Sequence, residues 1–209
     1  MYTTPGTYQW VVPEGVYSVS CVIIAGGGQG TIGYGSQGIG AGFGGGLRYR
    51  NNIPVTPGTS YTIIVGSGGV TQETTYNFSV TDTANHTTSV NGLGLTVGTY
   101  TTGTAFSADV KGGVGGFSNG TSGLNKTSSG GPAGTYTNGV DPGTYVTGQV
   151  GSGSGLYGST GSCGGGGNAT GPSQDVGWSP KYVRKGGDGG CRIIWGPNRA
   201  FPSTNVGDL

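Results

Sequence analysis

Glycine recurs at every third position in two stretches of this chain, Gly155, Gly158, Gly161, Gly164, Gly167 and Gly27, Gly30, Gly33. A three-residue period is that of the polyproline II helix, with about 3.1 Å of rise per residue and every third residue on the same side. Glycine on that side lets neighbouring backbones touch. Shorter traces at Gly112/Gly115, Gly113/Gly116, Gly120/Gly123 and Gly148/Gly151 repeat the spacing. Collagen uses the same geometry but needs roughly 15–20% proline in its repeat, and the two stretches contain none. The ordered solution that remains is a bundle of polyglycine II helices from one chain, exchanging N–H···O=C bonds between bare backbones that would otherwise be left to water. Many such bonds are required, because glycine loses more freedom on folding than any other residue.

The competing reading is a flexible low-complexity linker, since 51 glycines and 10 prolines among 209 residues exceed ordinary globular usage. Two features oppose it. The disorder signature also demands high net charge, and here the formal charge is +1. The glycine-rich part is also interrupted by Phe43, Phe117, Tyr136, Tyr145, Tyr157 and Trp178 and is flanked by β-type sequence at both ends.

At the N-terminal end, Tyr8–Val12 and Val16–Ala25 alternate or run apolar around Pro13-Glu14-Gly15, which reads as a hairpin. Leu47–Ile53 and Ser60–Val65 around Pro57-Gly58 read as a second. Cys191–Trp195 is one more short β run, and Tyr76–Thr81 and Thr87–Val97 are two further candidates. No segment carries a capped 3.6-residue apolar period, so essentially no α-helix is expected. The expected fold is all-β: a small antiparallel sheet or sandwich built from both chain ends, plus a glycine-rich region of packed polyglycine II helices and loops. The expected organisation is a β-rich part over 1–66 completed by 188–198, and a glycine-rich excursion over 67–187 with extra strands at 76–97. A C-terminal tail over 199–209 follows.

The chemistry-bearing residues are sparse. Nine basic and eight acidic side chains are scattered without the clustered footprint of a nucleic-acid binder. The apolar runs are far shorter than the ~20 residues of a membrane span, and Met1-Tyr2-Thr3-Thr4-Pro5 has no signal-peptide pattern, so synthesis in the cytoplasm is expected. Cys21, Cys163 and Cys191 are odd in number and lack CxxC spacing, so buried thiols are expected rather than a disulfide framework or metal site. His86 stands alone in Asn85-His86-Thr87-Thr88 and reads as a loop residue; no nucleophile motif surrounds it. Gly164–Gly167 lacks the Lys-Ser/Thr of a phosphate loop. The expectation is a protein without catalysis, cofactor or metal. A glycosidase pair drawn from Asp82, Asp109, Asp141 and Asp175 is the enzymatic alternative.

Several stretches resemble the glycine-rich domain of tailed-bacteriophage tail and fibre-tip proteins. They are Pro5-Gly6-Thr7-Tyr8-Gln9-Trp10-Val11-Val12-Pro13-Glu14-Gly15-Val16, Ala25-Gly26-Gly27-Gly28, Asn51–Tyr61, Val65-Gly66, Gly186–Gly196 and Arg199–Asn205. The resemblance implies polyglycine II helices packed as a sandwich, with the loops between them meeting a host receptor, in an adhesin or fibre tip on the virion. The implied partners are a host surface polysaccharide or outer-membrane protein and other tail-fibre or virion proteins, with no nucleic acid and no membrane insertion. Aromatic rings offer large contact area at small entropic cost and stack on sugars, so Tyr136, Tyr145, Tyr157 and Trp178 are the expected receptor contacts, with Asn138 and Asp141 as polar partners. The same rings would otherwise pack on the bundle's own flanks. The structural alternative is a self-assembling subunit of an extracellular filament or virion decoration, in which copies of the chain pair through edges and bare glycine backbones.

Overall fold

The computed structural model describes residues 1–29, 45–70, 84–98 and 186–201 in full. It also describes the backbone of short strands at 31–32, 39–40, 72–74, 117–118, 124–126, 169–172 and 181–183. In chain order the strands are β1 (Gly6–Val11), β2 (Ser18–Ile24), β3 (Thr31–Ile32), β4 (Ile39–Gly40), β5 (Leu47–Pro54), β6 (Ser60–Val65) and β7 (Gln72–Thr74). They continue with β8 (Thr88–Val90), β9 (Leu95–Val97), β10 (Phe117–Ser118), β11 (Leu124–Lys126), β12 (Ala169–Pro172), β13 (Lys181–Val183) and β14 (Gly190–Ile194). Among the described residues there is no helix, and the fold is all-β as expected.

Two antiparallel sheets carry the core, one in the order β14-β2-β5 and the other β1-β6-β8-β9. The first brings the chain ends together, with Cys191 opposite Ile23 and Ile193 opposite Cys21. Because side chains alternate across a strand, Val19, Cys21 and Ile23 of β2 face Trp10, Ile63, Val65, Val90, Leu95 and Val97 of the second sheet. The other face of β2 is also buried: Val22 and Ile24 pack with Leu47, Ile194 and Phe201. Burial on both faces explains why β2 ends in a near-continuous apolar run.

Neither expected hairpin forms. β1 pairs with β6, Gly6 opposite Val65, while β2 pairs with β5 and β14, so each turn carries the chain from one sheet to the other. The reason lies in the stretches around the turns. A hairpin closes over two or a few residues, whereas Val12–Tyr17 and Val55–Thr59 are long enough to cross the ~10 Å between packed sheets. These two crossovers also satisfy each other: Val12 N donates to Thr59 O at 2.9 Å, Gly58 N to Val12 O at 2.9 Å, and Val55 N to Tyr17 O at 3.0 Å. The β candidate Thr87–Val97 is instead two strands, β8 and β9, paired as a hairpin that joins the second sheet through Ile63 opposite Val90. Tyr76–Thr81 lies outside the described residues.

Beyond the strands the two sheets close on each other. The segments that leave β2 and β6 and the one that enters β14 are rich in glycine, and their backbones bond directly to one another and to the Asn85-His86 segment that enters β8. Gly26 N donates to His86 O at 2.9 Å, Gly27 N to Gly187 O at 2.8 Å, Gly69 N to Gly27 O at 2.9 Å and Gly189 N to Gly66 O at 2.8 Å. Asp188 Oδ1 and Thr88 Oγ1 accept from Gly68 N at 2.8 Å and Gly66 N at 3.0 Å. His86 belongs to this bundle, with a ring nitrogen 2.8 Å from Ser67 O. Gly27 is therefore bonded on both sides; Gly30, Gly33, Gly155, Gly158, Gly161, Gly164 and Gly167 lie outside the fully described residues. The excursion leaves and returns side by side, since β7 pairs with β13.

Cys21 and Cys191 are buried free thiols with their sulfurs 3.9 Å apart; Cys163 lies outside the described residues. Burial, then the hydrogen bond and charge of Cys191, hold the Cys21 thiol well above its ordinary pKa near 9.0. A raised folded-state pKa means that the unfolded chain loses this proton first, so stability is complete below about pH 9 and is lost above it. The melting temperature should fall on the alkaline side with a contribution of up to about 1.4 kcal/mol per pH unit, and Cys21→Ala should flatten that limb. An identical slope in the variant would remove Cys21 from the account.

Candidate functional site

β2 runs from Ser18 to Ile24 and β14 from Gly190 to Ile194, antiparallel, so the glycine bundle lies at one end of this sheet and the crossovers at the other. At the crossover end is an open cleft of about 460 Å³, lined by Gly15–Ser20, Asn52 and Trp195–Arg199. Its volume lies within the ~300–1,000 Å³ typical of small-ligand sites.

The walls are set by local sequence. β2 and β5 lose register between Val19 and Cys21, so that Asn51 and Asn52 together face Ser20. This bulge places Asn52 in the left-handed region, φ 53°, which asparagine tolerates better than most residues. The bulge also holds the segment after β14: Ser20 Oγ donates to Arg199 O at 3.1 Å, Phe201 N donates to Asn51 Oδ1 at 2.7 Å, and Asn51 Nδ2 donates to Phe201 O. The chain after residue 198 is thus docked as far as Phe201, where the sequence suggested a tail. Gly196 at φ 113° and Asn198 at φ 59° turn the chain between Trp195 and Arg199. Both non-glycine residues of positive φ among the described residues therefore line one cleft, and such conformations concentrate at ligand sites.

The lining has the elements of a recognition surface. Tyr17 is 70% exposed, an unusual placement for an aromatic ring. Trp195 is half-buried and backed by Trp10 at 6.2 Å, which in turn stacks on Tyr61 at 6.0 Å, so the ring is held from behind. Asn52 and Asn198 supply amides, Ser18 a hydroxyl and Arg199 a guanidinium. Among the described residues no three His, Cys, Asp or Glu side chains gather into a metal-binding group.

The sequence expectation placed binding elsewhere. Tyr136, Asn138, Asp141, Tyr145, Tyr157 and Trp178 all lie outside the described residues, as do Asp82, Asp109, Asp141 and Asp175. None of the cleft residues was singled out. Signals for them exist in Asn51-Asn52 within a strand and in the Gly196-Pro197-Asn198 turn, but both read as punctuation until the crossovers bring them together.

Fold and cleft together define a glycine-rich β-sandwich, its sheets joined at one end by bare backbone and at the other by the two crossovers, beside which the cleft opens. The chain belongs to the glycine-rich domain family, whose pattern matches residues 3–207. Among curated proteins none matches the chain.

Proposed function

We propose that this protein is a virion surface protein, a tail-fibre or fibre-tip adhesin that attaches to a receptor on a host envelope through the crossover-end cleft. The observation that carries the reading is the exposed Tyr17 beside Trp195, Asn52, Asn198 and Arg199 in an open cleft at the end of the sandwich away from the glycine bundle. The stretches resembling phage tail proteins support it, since Pro13–Val16, Asn51–Pro54, Trp195-Gly196 and Arg199–Phe201 lie at that end of the fold. The partners would be the receptor and the tail proteins that carry the adhesin. The filament reading has less support, because Tyr2 exchanges backbone hydrogen bonds with Cys191 and occupies part of the β14 edge that polymerisation would use.

The test is adsorption of the labelled full chain to a panel of bacterial envelopes. Tyr17 is so exposed that Tyr17→Ala should change stability by no more than about 0.5 kcal/mol. Adsorption should nevertheless drop about tenfold or more, the loss expected of an aromatic contact at the centre of a binding surface. Equal adsorption by the variant and the native chain would reject the cleft as the contact.

A further inference from the structure

Among the described residues that line the cleft, Arg199 is the one charged side chain, and none is an aspartate or glutamate. The Arg199 backbone is fixed independently of its guanidinium, through the Ser20 Oγ bond to its carbonyl. The stem lies along the Gly196-Pro197 turn: Arg199 Cδ is 3.7 Å from where a Cβ on Gly196 would stand. A guanidinium presents a planar fork of donors matched to a carboxylate, which it binds bidentately. An exposed tyrosine face suits the apolar side of a sugar ring, and two asparagine amides, each donor and acceptor, suit its hydroxyls.

Resting on the reading of this cleft as the contact surface, the geometry points to an acidic saccharide, a glycan unit bearing a carboxylate, as its ligand. Arg199 takes the carboxylate, Tyr17 the ring face, and Asn52 and Asn198 the hydroxyls. A neutral glycan would leave the guanidinium without its partner.

The probes are oligoglucuronate and an oligoglucose of the same length, titrated into the full chain and into its Trp178→Phe variant and followed by calorimetry and tryptophan fluorescence, the variant leaving Trp195 at the cleft wall and Trp10 behind it as the emitters. Oligoglucuronate should bind about tenfold more tightly than oligoglucose, the scale of one hydrogen-bonded charge pair, and should weaken as salt is raised. Arg199→Gln should bring the ratio of the two affinities close to one, and Tyr17→Ala should weaken both. Equal affinities in the native chain, or a ratio unchanged in Arg199→Gln, would overturn the acidic ligand. So would tighter binding of a glutamate-rich peptide than of oligoglucuronate. If neither saccharide binds while Tyr17→Ala still abolishes adsorption to envelopes, the saccharide inference falls and the contact surface stands. If Tyr17→Ala leaves adsorption intact, the contact surface itself falls.

Discussion

Gly68→Ala should be among the most damaging single-methyl changes available to this protein. A Cβ built on Gly68 would stand 2.1 Å from Gly186 O, one on Gly186 2.1 Å from Gly27 O, and one on Gly26 2.1 Å from Ser67 O. In each case the obstacle is backbone, which cannot swing aside as a side chain does. These three contacts link the extensions of β2, β6 and β14, so relieving one means parting hydrogen bonds that join the two sheets. A cost of at least about 3 kcal/mol is expected, the upper end for overpacking, and therefore a fall of roughly 6–12 °C in melting temperature for a chain of this size. Gly15→Ala is the control: Gly15 has φ 75° but nothing within 4 Å of its ideal Cβ. It should cost only the ~1–2 kcal/mol of a left-handed residue. Thermal melts that rank Gly15→Ala with Gly68→Ala would deny the bundle its close packing.

The second large effect lies past the last strand. Phe201 is 1% exposed and covers Val22, Ile24, Leu47 and Ile194 on the outer face of the β14-β2-β5 sheet. Phe201→Ala should cost about 3–5 kcal/mol in denaturant unfolding, as for other buried aromatics. Asn51→Ala alone should cost a smaller ~1–3 kcal/mol, because it removes both hydrogen bonds that Asn51 makes with the Phe201 backbone. The two changes touch one contact, so the double variant should lose less than the sum of the singles. Strict additivity would mean that Asn51 and Phe201 act separately.

How much of this was legible in the sequence follows from where the information resides. Strand positions were readable because period-2 alternation is local: Ser60–Val65 was found at its full length, and Cys191–Trp195 is shifted by one residue from the observed Gly190–Ile194. Partnering was not readable. Pro13-Glu14-Gly15 and Pro57-Gly58 mark a change of direction, yet whether the next strand stays in the sheet depends on which distant strand has the matching apolar face. The glycine period pointed to backbone packing, but of its positions only Gly27 is among the fully described residues; the bare backbones that pack where the sheets meet are otherwise Gly26, Gly66, Gly68 and Gly186, which lie outside the period. The cleft was invisible for a related reason: Tyr17, Asn52 and Arg199 share no local pattern and meet only through the bulge opposite Ser20 and the docking of Arg199–Phe201 upon it.

The proposed function divides labour between the two ends of the sandwich, recognition at the crossovers and cohesion at the glycines. Amide hydrogen exchange of the full chain, free and bound to receptor-bearing envelopes, tests it most directly. Binding should slow exchange in peptides covering residues 13–20, 50–54 and 194–200, while residues 25–29 and 66–70 exchange at the same rates in both states. Protection confined to residues 127–180, with the three cleft segments unchanged, would contradict the account.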